Sequence, residues 1–269
     1  MRMWPVCLFV AFLLRFSVAE QVVGEPISRY IRISGTEARI EILASERASY
    51  QIPRTVYGTF LENIGESIFG GVSAQLLDNP SLETYYASLE TLEQRFSKLL
   101  FRRSTRMGLP LPWLPLRWDD GWRYEPRWGE AANSYSYLYL MGLPDHEVGI
   151  RQSVHLPTHR QRTYRGALFA LSEKGEPELE VSFRQQDSPG AVLVATRLTV
   201  PSNQRWSKVP FTLTFPPNAV LPLQPVDFVI ALRGDQRISL DEVRLYPDDA
   251  VQGFDPDVVR AAKALNSPL

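Results

Sequence analysis

The chain has 269 residues, 44% of them hydrophobic and 22% charged, with 29 Lys and Arg against 30 Asp and Glu for a formal net charge of -1. This is the composition of a folded protein long enough for one large or two medium domains, and it excludes a disordered chain. A charge balance so close to neutral supplies no clustered positive field, so neither nucleic acid nor an anionic membrane surface is expected as a partner.

Residues 1–19 read as a secretory signal. Arg2 precedes an apolar run from Trp4 to Leu14, Arg15 closes it, and Ser17-Val18-Ala19 places small residues at the cleavage site. The run is about half the ~20 residues of a spanning helix, so the reading is export, secreted or periplasmic, with no membrane association after cleavage. The one cysteine, Cys7, falls inside this segment, which leaves a mature chain with neither disulfides nor thiolate ligands.

Residues 38–43 alternate Arg39 and Glu41 with Ile40 and Ile42, the pattern of a short half-buried strand without an evident partner nearby. Residues 55–62 form a mostly apolar run ending on Glu62 and read as a strand buried on both faces. Between 81 and 100, apolar positions recur at spacings of three and four and predict an amphipathic helix. The stretch 103–130 is rich in Pro, Arg and Trp and reads as an irregular connector. From 134 onward, eight alternating segments follow: 135–141, 147–156, 163–171, 178–184, 192–200, 208–215, 226–232 and 238–246. Strands this short and regular, punctuated by Gly, Pro and Asn, predict a mainly β protein with a jelly-roll-like antiparallel β-sandwich. At 254–257, Asp255 can cap a helix, Pro256 suits its first turn and Asp257 favours the positive end of its dipole. Val258, Ala262 and Leu265 give that helix one apolar face, and the segment 248–269 looks like an interrupted β/α unit.

Three stretches carry a resemblance. Val56-Tyr57-Gly58-Thr59-Phe60-Leu61-Glu62-Asn63, Ile68-Phe69-Gly70-Gly71-Val72 and Leu76-Leu77-Asp78-Asn79-Pro80-Ser81-Leu82-Glu83 resemble the first barrel strand and loop of the α-L-arabinofuranosidases of glycoside hydrolase family 51. Residues 238–247 are similar to the last strand of the carbohydrate-binding-module-like sandwich, of the family 4/9 type, that many of those enzymes carry as an insert. Residues 253–257 resemble the return into the barrel. The resemblance implies a sandwich inserted into an incomplete (β/α) barrel, of which only the first strand and helices are present. Its parts are 20–131 (N-terminal strand, first barrel unit and connector), 132–247 (sandwich) and 248–269 (second barrel helix, truncated).

The implied activity is exo-acting, retaining release of arabinose from arabinan- or arabinoxylan-type polysaccharides, without a cofactor. Retaining chemistry needs two carboxyls about 5–5.5 Å apart. In the family both lie on later barrel strands, beyond an Arg-aromatic-Pro-Gly-Gly pattern that would begin about where this sequence ends. No catalytic residue is therefore assigned here, and the sequence is expected to be inactive alone. Glu62 resembles the strand-one glutamate that hydrogen-bonds arabinose hydroxyls, although Thr59 and Asn63 stand where a His is common; a structural carboxylate bonded to loop amides is the other reading.

Trp118, Trp122 and Trp128, with Trp113, are candidates for sugar stacking, or alternatively for pinning the connector to a neighbouring domain. Trp206, opening a strand, reads as core or turn packing. His146, His155 and His159 lack the spacing of a zinc site and read as surface residues, and Asp119-Asp120 and Asp248-Asp249 suit solvated turns better than a calcium shell, so no metal is expected. Two further readings remain: a free-standing carbohydrate-binding sandwich, and a subunit that completes a barrel with another chain.

Overall fold

The computed structural model describes residues 28–32, 38–42, 68–84, 98–186, 191–222 and 224–264. The signal segment, the strand expected at 55–62 with its Glu62, and most of the helix expected at 81–100 lie outside the described residues.

The chain divides into two units. The first contains an antiparallel pair, β1 (Ser28–Arg32) and β2 (Ala38–Ile42), in register from Ser28 opposite Ile42 to Arg32 opposite Ala38. The alternating segment at 38–43 thus has its partner immediately upstream.

The second unit is a sandwich of two five-stranded antiparallel sheets. Its strands are β3 (Leu114–Pro115), β4 (Tyr124–Trp128), β5 (Ser136–Met141), β6 (Val148–His155), β7 (Thr163–Lys174), β8 (Glu178–Gln185), β9 (Val192–Thr199), β10 (Ser207–Thr214), β11 (Pro225–Leu232) and β12 (Arg237–Pro247). One sheet runs β10-β7-β12-β5-β4 and the other β3-β6-β11-β8-β9. Only β4–β5 and β8–β9 are neighbours in both sequence and sheet; every other connection crosses between layers, the winding of a jelly roll. The core follows from alternation: Val226, Phe228, Ile230 and Leu232 face Leu138, Leu140, Leu168 and Leu240, all buried. Phe183 sits at its centre, 5.6 Å from Tyr164, 5.1 Å from Phe215 and 5.7 Å from Phe228 between ring centroids.

Two expectations are corrected. The stretch 103–130 is not an irregular connector throughout, since it supplies an edge strand to each sheet, β3 beside β6 and β4 beside β5. The helix expected to end at residue 100 continues: α1 spans Lys98–Arg106, whereas residues 81–84 form a turn. Ser104 then donates to the Trp113 carbonyl at 2.6 Å, fixing the chain as it leaves the helix.

The segment 73–83 is built into the sandwich. Where β5 stops pairing with β12, a bulge between Asp241 and Arg244 puts Glu242 at φ 47°, and the Val243 N–H donates to the Pro80 carbonyl at 2.7 Å. Asn79, fully buried, ties the turn at 79–83 to the segment 111–113 that leads into β3. Its Nδ2 donates to the carbonyls of Glu83 (2.9 Å) and Leu111 (2.6 Å), and its own carbonyl accepts from the Trp113 indole at 3.0 Å. Gln152, a polar residue in the apolar row of β6, pairs both ways with the Asp78 main chain at 2.7 and 2.9 Å. The exit runs beside the entry: Ser73 bridges Phe254, Ala74 N donates to Gly253 O at 2.8 Å, and Asp255 N donates to Val72 O at 2.9 Å. Arg160 clamps this exit by pairing with Asp249 and Asp255 at 2.5 Å and Asp257 at 2.9 Å. Helix α2 (Pro256–Ala264) starts on the expected cap, with Asp255 Oδ1 accepting from Asp257 N at 2.8 Å and Val258 N at 3.3 Å.

Candidate functional site

The outer face of the β10-β7-β12-β5-β4 sheet carries an organised aromatic surface. On β5, Leu138 and Leu140 point into the core, so alternation sends Tyr137 and Tyr139, and Tyr135 just before them, outward. Tyr135 is 65% exposed, whereas Tyr139 is buried beneath Arg127, whose guanidinium lies 3.5 Å from the ring centroid. Glu125 at 3.2 Å and Glu173 at 3.7 Å hold that guanidinium in place. Trp206, at the start of β10, reaches the β4–β5 loop. Its indole N–H donates to the Glu130 carbonyl at 2.8 Å and its ring meets Tyr137 edge-on at 5.3 Å. Because the one polar atom of Trp206 is engaged, its remaining chemistry is that of an apolar π-face.

The loop beneath these rings is fixed by carboxylates. Asn133 N donates to Asp241 Oδ2 at 2.8 Å, Glu242 N to Asp241 Oδ1 at 2.7 Å, and Ser136 Oγ to Glu83 Oε2 at 2.5 Å. Glu242 accepts from Ser81 Oγ at 2.6 Å, from Asn133 Nδ2, and from Arg244 Nε at 2.7 Å. Burial pushes the Asp241 carboxyl up to about 7, against which its backbone donors, Asn133 and Glu242 foremost, work only in part. Burial also acts to raise Glu242, but the hydrogen bonds of Ser81 and Arg244 and the Arg244 charge outweigh it and hold this carboxyl below its ordinary range. One acid of the adjacent pair thus gives up its proton easily while the other keeps it to near neutrality.

This is a preorganised surface of rings and hydrogen-bonding groups. An aromatic face packs against the C–H face of a sugar ring, and neighbouring polar groups take its hydroxyls. Among the described residues, no group of three or more His, Cys, Asp and Glu could hold a metal ion.

The sequence-predicted residues are scattered rather than collected here. Trp113 is fully buried in the core, so within the tryptophan series it pins the connector. Trp118 is half-buried under the Arg103 guanidinium at 4.7 Å, Trp122 is 91% exposed, and Trp128 is 53% exposed at the end of β4. Among the described residues these four rings make no contact with one another. Trp206, read from the sequence as core or turn packing, is half-buried and hydrogen-bonded to the β4–β5 loop, with its ring at the surface beside Tyr137. His155 and His159 are exposed, while His146 is half-buried with its Nε2 2.6 Å from Asp120 Oδ1. Asp249 and Asp248 are taken by Arg160 and Arg165. Sequence reasoning missed Tyr135 and Tyr137. The signal was the run Tyr135-Ser136-Tyr137-Leu138-Tyr139-Leu140, whose period of two places three tyrosines on one face.

No family model matches the sequence, and no curated protein matches it either. Among solved structures, an arabinose-bound α-L-arabinofuranosidase of glycoside hydrolase family 51 is similar with a TM-score of 0.56 at 17% identity, over 82% of this chain and 34% of that one. The chain therefore spans about a third of that enzyme's length, and the likeness is one of fold. A family 61 carbohydrate-binding module in complex with β-1,4-galactotriose is similar at a TM-score of 0.41 and 14% identity, over 65% of this chain and 100% of the module. A family 4 carbohydrate-binding module is similar at 0.37 and 20%, over 51% of this chain and 86% of the module.

Proposed function

We propose that the chain is the N-terminal portion of an exported, exo-acting α-L-arabinofuranosidase, whose sandwich contacts arabinose-containing polysaccharide while barrel elements flank it. The observation that carries this reading is the doorway of the sandwich. Entry at 72–74 and exit at 253–255 are hydrogen-bonded to each other and locked by Arg160, the arrangement required of a module inserted into a host domain. The fold likeness to an arabinofuranosidase over both the sandwich and its flanks agrees with it. Glu62 keeps its proposed role as a hydroxyl-binding carboxylate, and cleavage is assigned to carboxylates outside this sequence.

A second reading is favoured by the aromatic surface itself, which is assembled entirely within the sandwich: a protein that binds polysaccharide without cutting it. Two measurements test the binding surface and the role of Glu62 that these readings rest on. Native gel electrophoresis in the presence of arabinan or arabinoxylan is expected to retard the chain, and Trp206→Ala is expected to weaken binding roughly tenfold or more, about 1.4 kcal/mol. Unchanged retardation of this variant would move the binding surface elsewhere. Release of arabinose from an aryl arabinofuranoside is expected to be absent; activity above that of Glu62→Gln would make Glu62 catalytic and overturn its assignment as a binding residue.

A further inference from the structure

Among the described residues, four large aromatic side chains are more than a third exposed: Trp122, Trp128, Tyr135 and Phe254. Three of the four flank a single strand, β4, at the edge of its sheet. Trp122 precedes the strand, Trp128 ends it, and Tyr135 stands just past the loop, where Gly129 N donates to the Tyr135 carbonyl at 3.0 Å. Trp122 is 91% exposed and holds φ at 65°, a left-handed conformation that is costly for a bulky side chain. The loop beneath it is firmly anchored. Asp120 is buried and accepts from the Tyr124 hydroxyl, with His146 at 2.6 Å, and Arg123 O accepts from Met141 N at 2.9 Å. A rigid base thus holds the strained backbone that carries an almost fully solvated indole, an arrangement that nothing in the core requires.

Resting on the carbohydrate reading above, we propose that β4 is an extended track for a polysaccharide chain, with Trp122 as its far anchor and the Tyr135–Trp206 surface as its near one. As an edge strand, β4 has no strand partner on the side away from β5 among the described residues, and because Gly108 packs against the Tyr124 carbonyl and the Pro126 ring there, the exposed aromatic rings at its two ends, rather than its backbone, are what would meet a sugar chain. A second β-strand is the poorer occupant. Pro126 at the centre of β4 removes a donor, and Glu125 and Arg127 charge the edge, both of which oppose strand pairing. The six residue steps from Tyr135 to Met141, whose N–H donates to the Arg123 carbonyl just ahead of β4, span about 20 Å, the length of about four sugar rings laid end to end.

The test is calorimetric titration of the full chain with linear arabinofuranosyl oligosaccharides of increasing length. Affinity is expected to rise up to about four rings and then level, matching the ~20 Å track. Trp122→Gly is expected to abolish the gain from the longer oligosaccharides while leaving the shortest unaffected. Because glycine adopts this φ freely, the same variant is expected to melt at an unchanged or higher temperature, which separates lost binding from lost folding. Trp206→Ala is expected to weaken every length equally. Affinity independent of length, or a Trp122→Gly profile identical to the unsubstituted chain, overturns the track but leaves the near surface standing. Concentration-dependent dimerisation abolished by Trp122→Gly would assign the edge to a second copy and overturn it as well. Binding of no oligosaccharide at any length removes the carbohydrate reading, and the track with it.

Discussion

Replacing Trp113 by alanine is expected to cost about 3–5 kcal/mol of folding stability, the range for deleting a fully buried aromatic side chain. The indole is 0% exposed, meets Phe228 edge-on at 6.5 Å and donates to the Asn79 carbonyl at 3.0 Å. Its loss opens a cavity between the sheets and removes the partner of a buried carbonyl, adding about 1 kcal/mol. Since a domain is stable by only about 5–15 kcal/mol, urea unfolding should show a large fall in the midpoint. Trp113→Phe should lie between the two. The result bears on where the folding unit begins. Leu77, Leu82, Leu109, Trp113 and Tyr124 all join the same hydrophobic cluster, so we propose that residues 73–257 fold together, a wider unit than the 132–247 that the resemblance implies. A loss below about 1 kcal/mol for Trp113→Ala would mean that the segment preceding β4 is dispensable.

The second large effect is a pH dependence traced to Asp241. Its carboxyl is raised from 3.8 to about 7 by burial, so the folded state binds its proton more tightly than the unfolded state does. A raised acid contributes stability that is fully present below the unfolded value and is lost as pH climbs through the folded one, here between about pH 4 and 7. Three units correspond to about 4 kcal/mol across that window. Asp241→Asn removes the titration but supplies only one acceptor oxygen for the two N–H groups of Asn133 and Glu242. The variant is therefore expected to be less stable than the unsubstituted chain at pH 4, and to lose less, by about 3–4 kcal/mol, on going to pH 8. Denaturant titrations at both pH values measure this difference directly; parallel profiles would show that Asp241 is ionised throughout.

Most of the sandwich was legible because each strand buries one face. Period-two alternation located β5 to β12 to within a few residues, and it survives even where Gln152 interrupts the apolar row, because that amide is satisfied by the Asp78 backbone. The edge strands were not legible for an equally physical reason. β3 is two residues long and ends on a proline, and β4 has Pro126 at its centre, features that argue against a strand everywhere except at an edge. The candidate site was half legible. The tyrosine alternation of β5 lies in the sequence, but the approach of Trp206 to Glu130 joins loops 76 residues apart and follows only from sheet order. Asp241 reads as an ordinary solvent-facing acid in its sequence, and only the bulge after it explains its burial.

The bridge between Ser73 and Phe254 also sets how the molecule carries force and how it can be rearranged. The two chains run antiparallel there, so tension applied from outside peels apart a few hydrogen bonds and the Arg160 ion pairs before it loads any strand of the two sheets. Conversely, cutting out the segment between Ser73 and Phe254 would leave ends only about 5 Å apart, which one or two residues could rejoin at little cost in loop entropy. A segment closed on itself in this way can be removed or replaced without moving the chain on either side of the bridge.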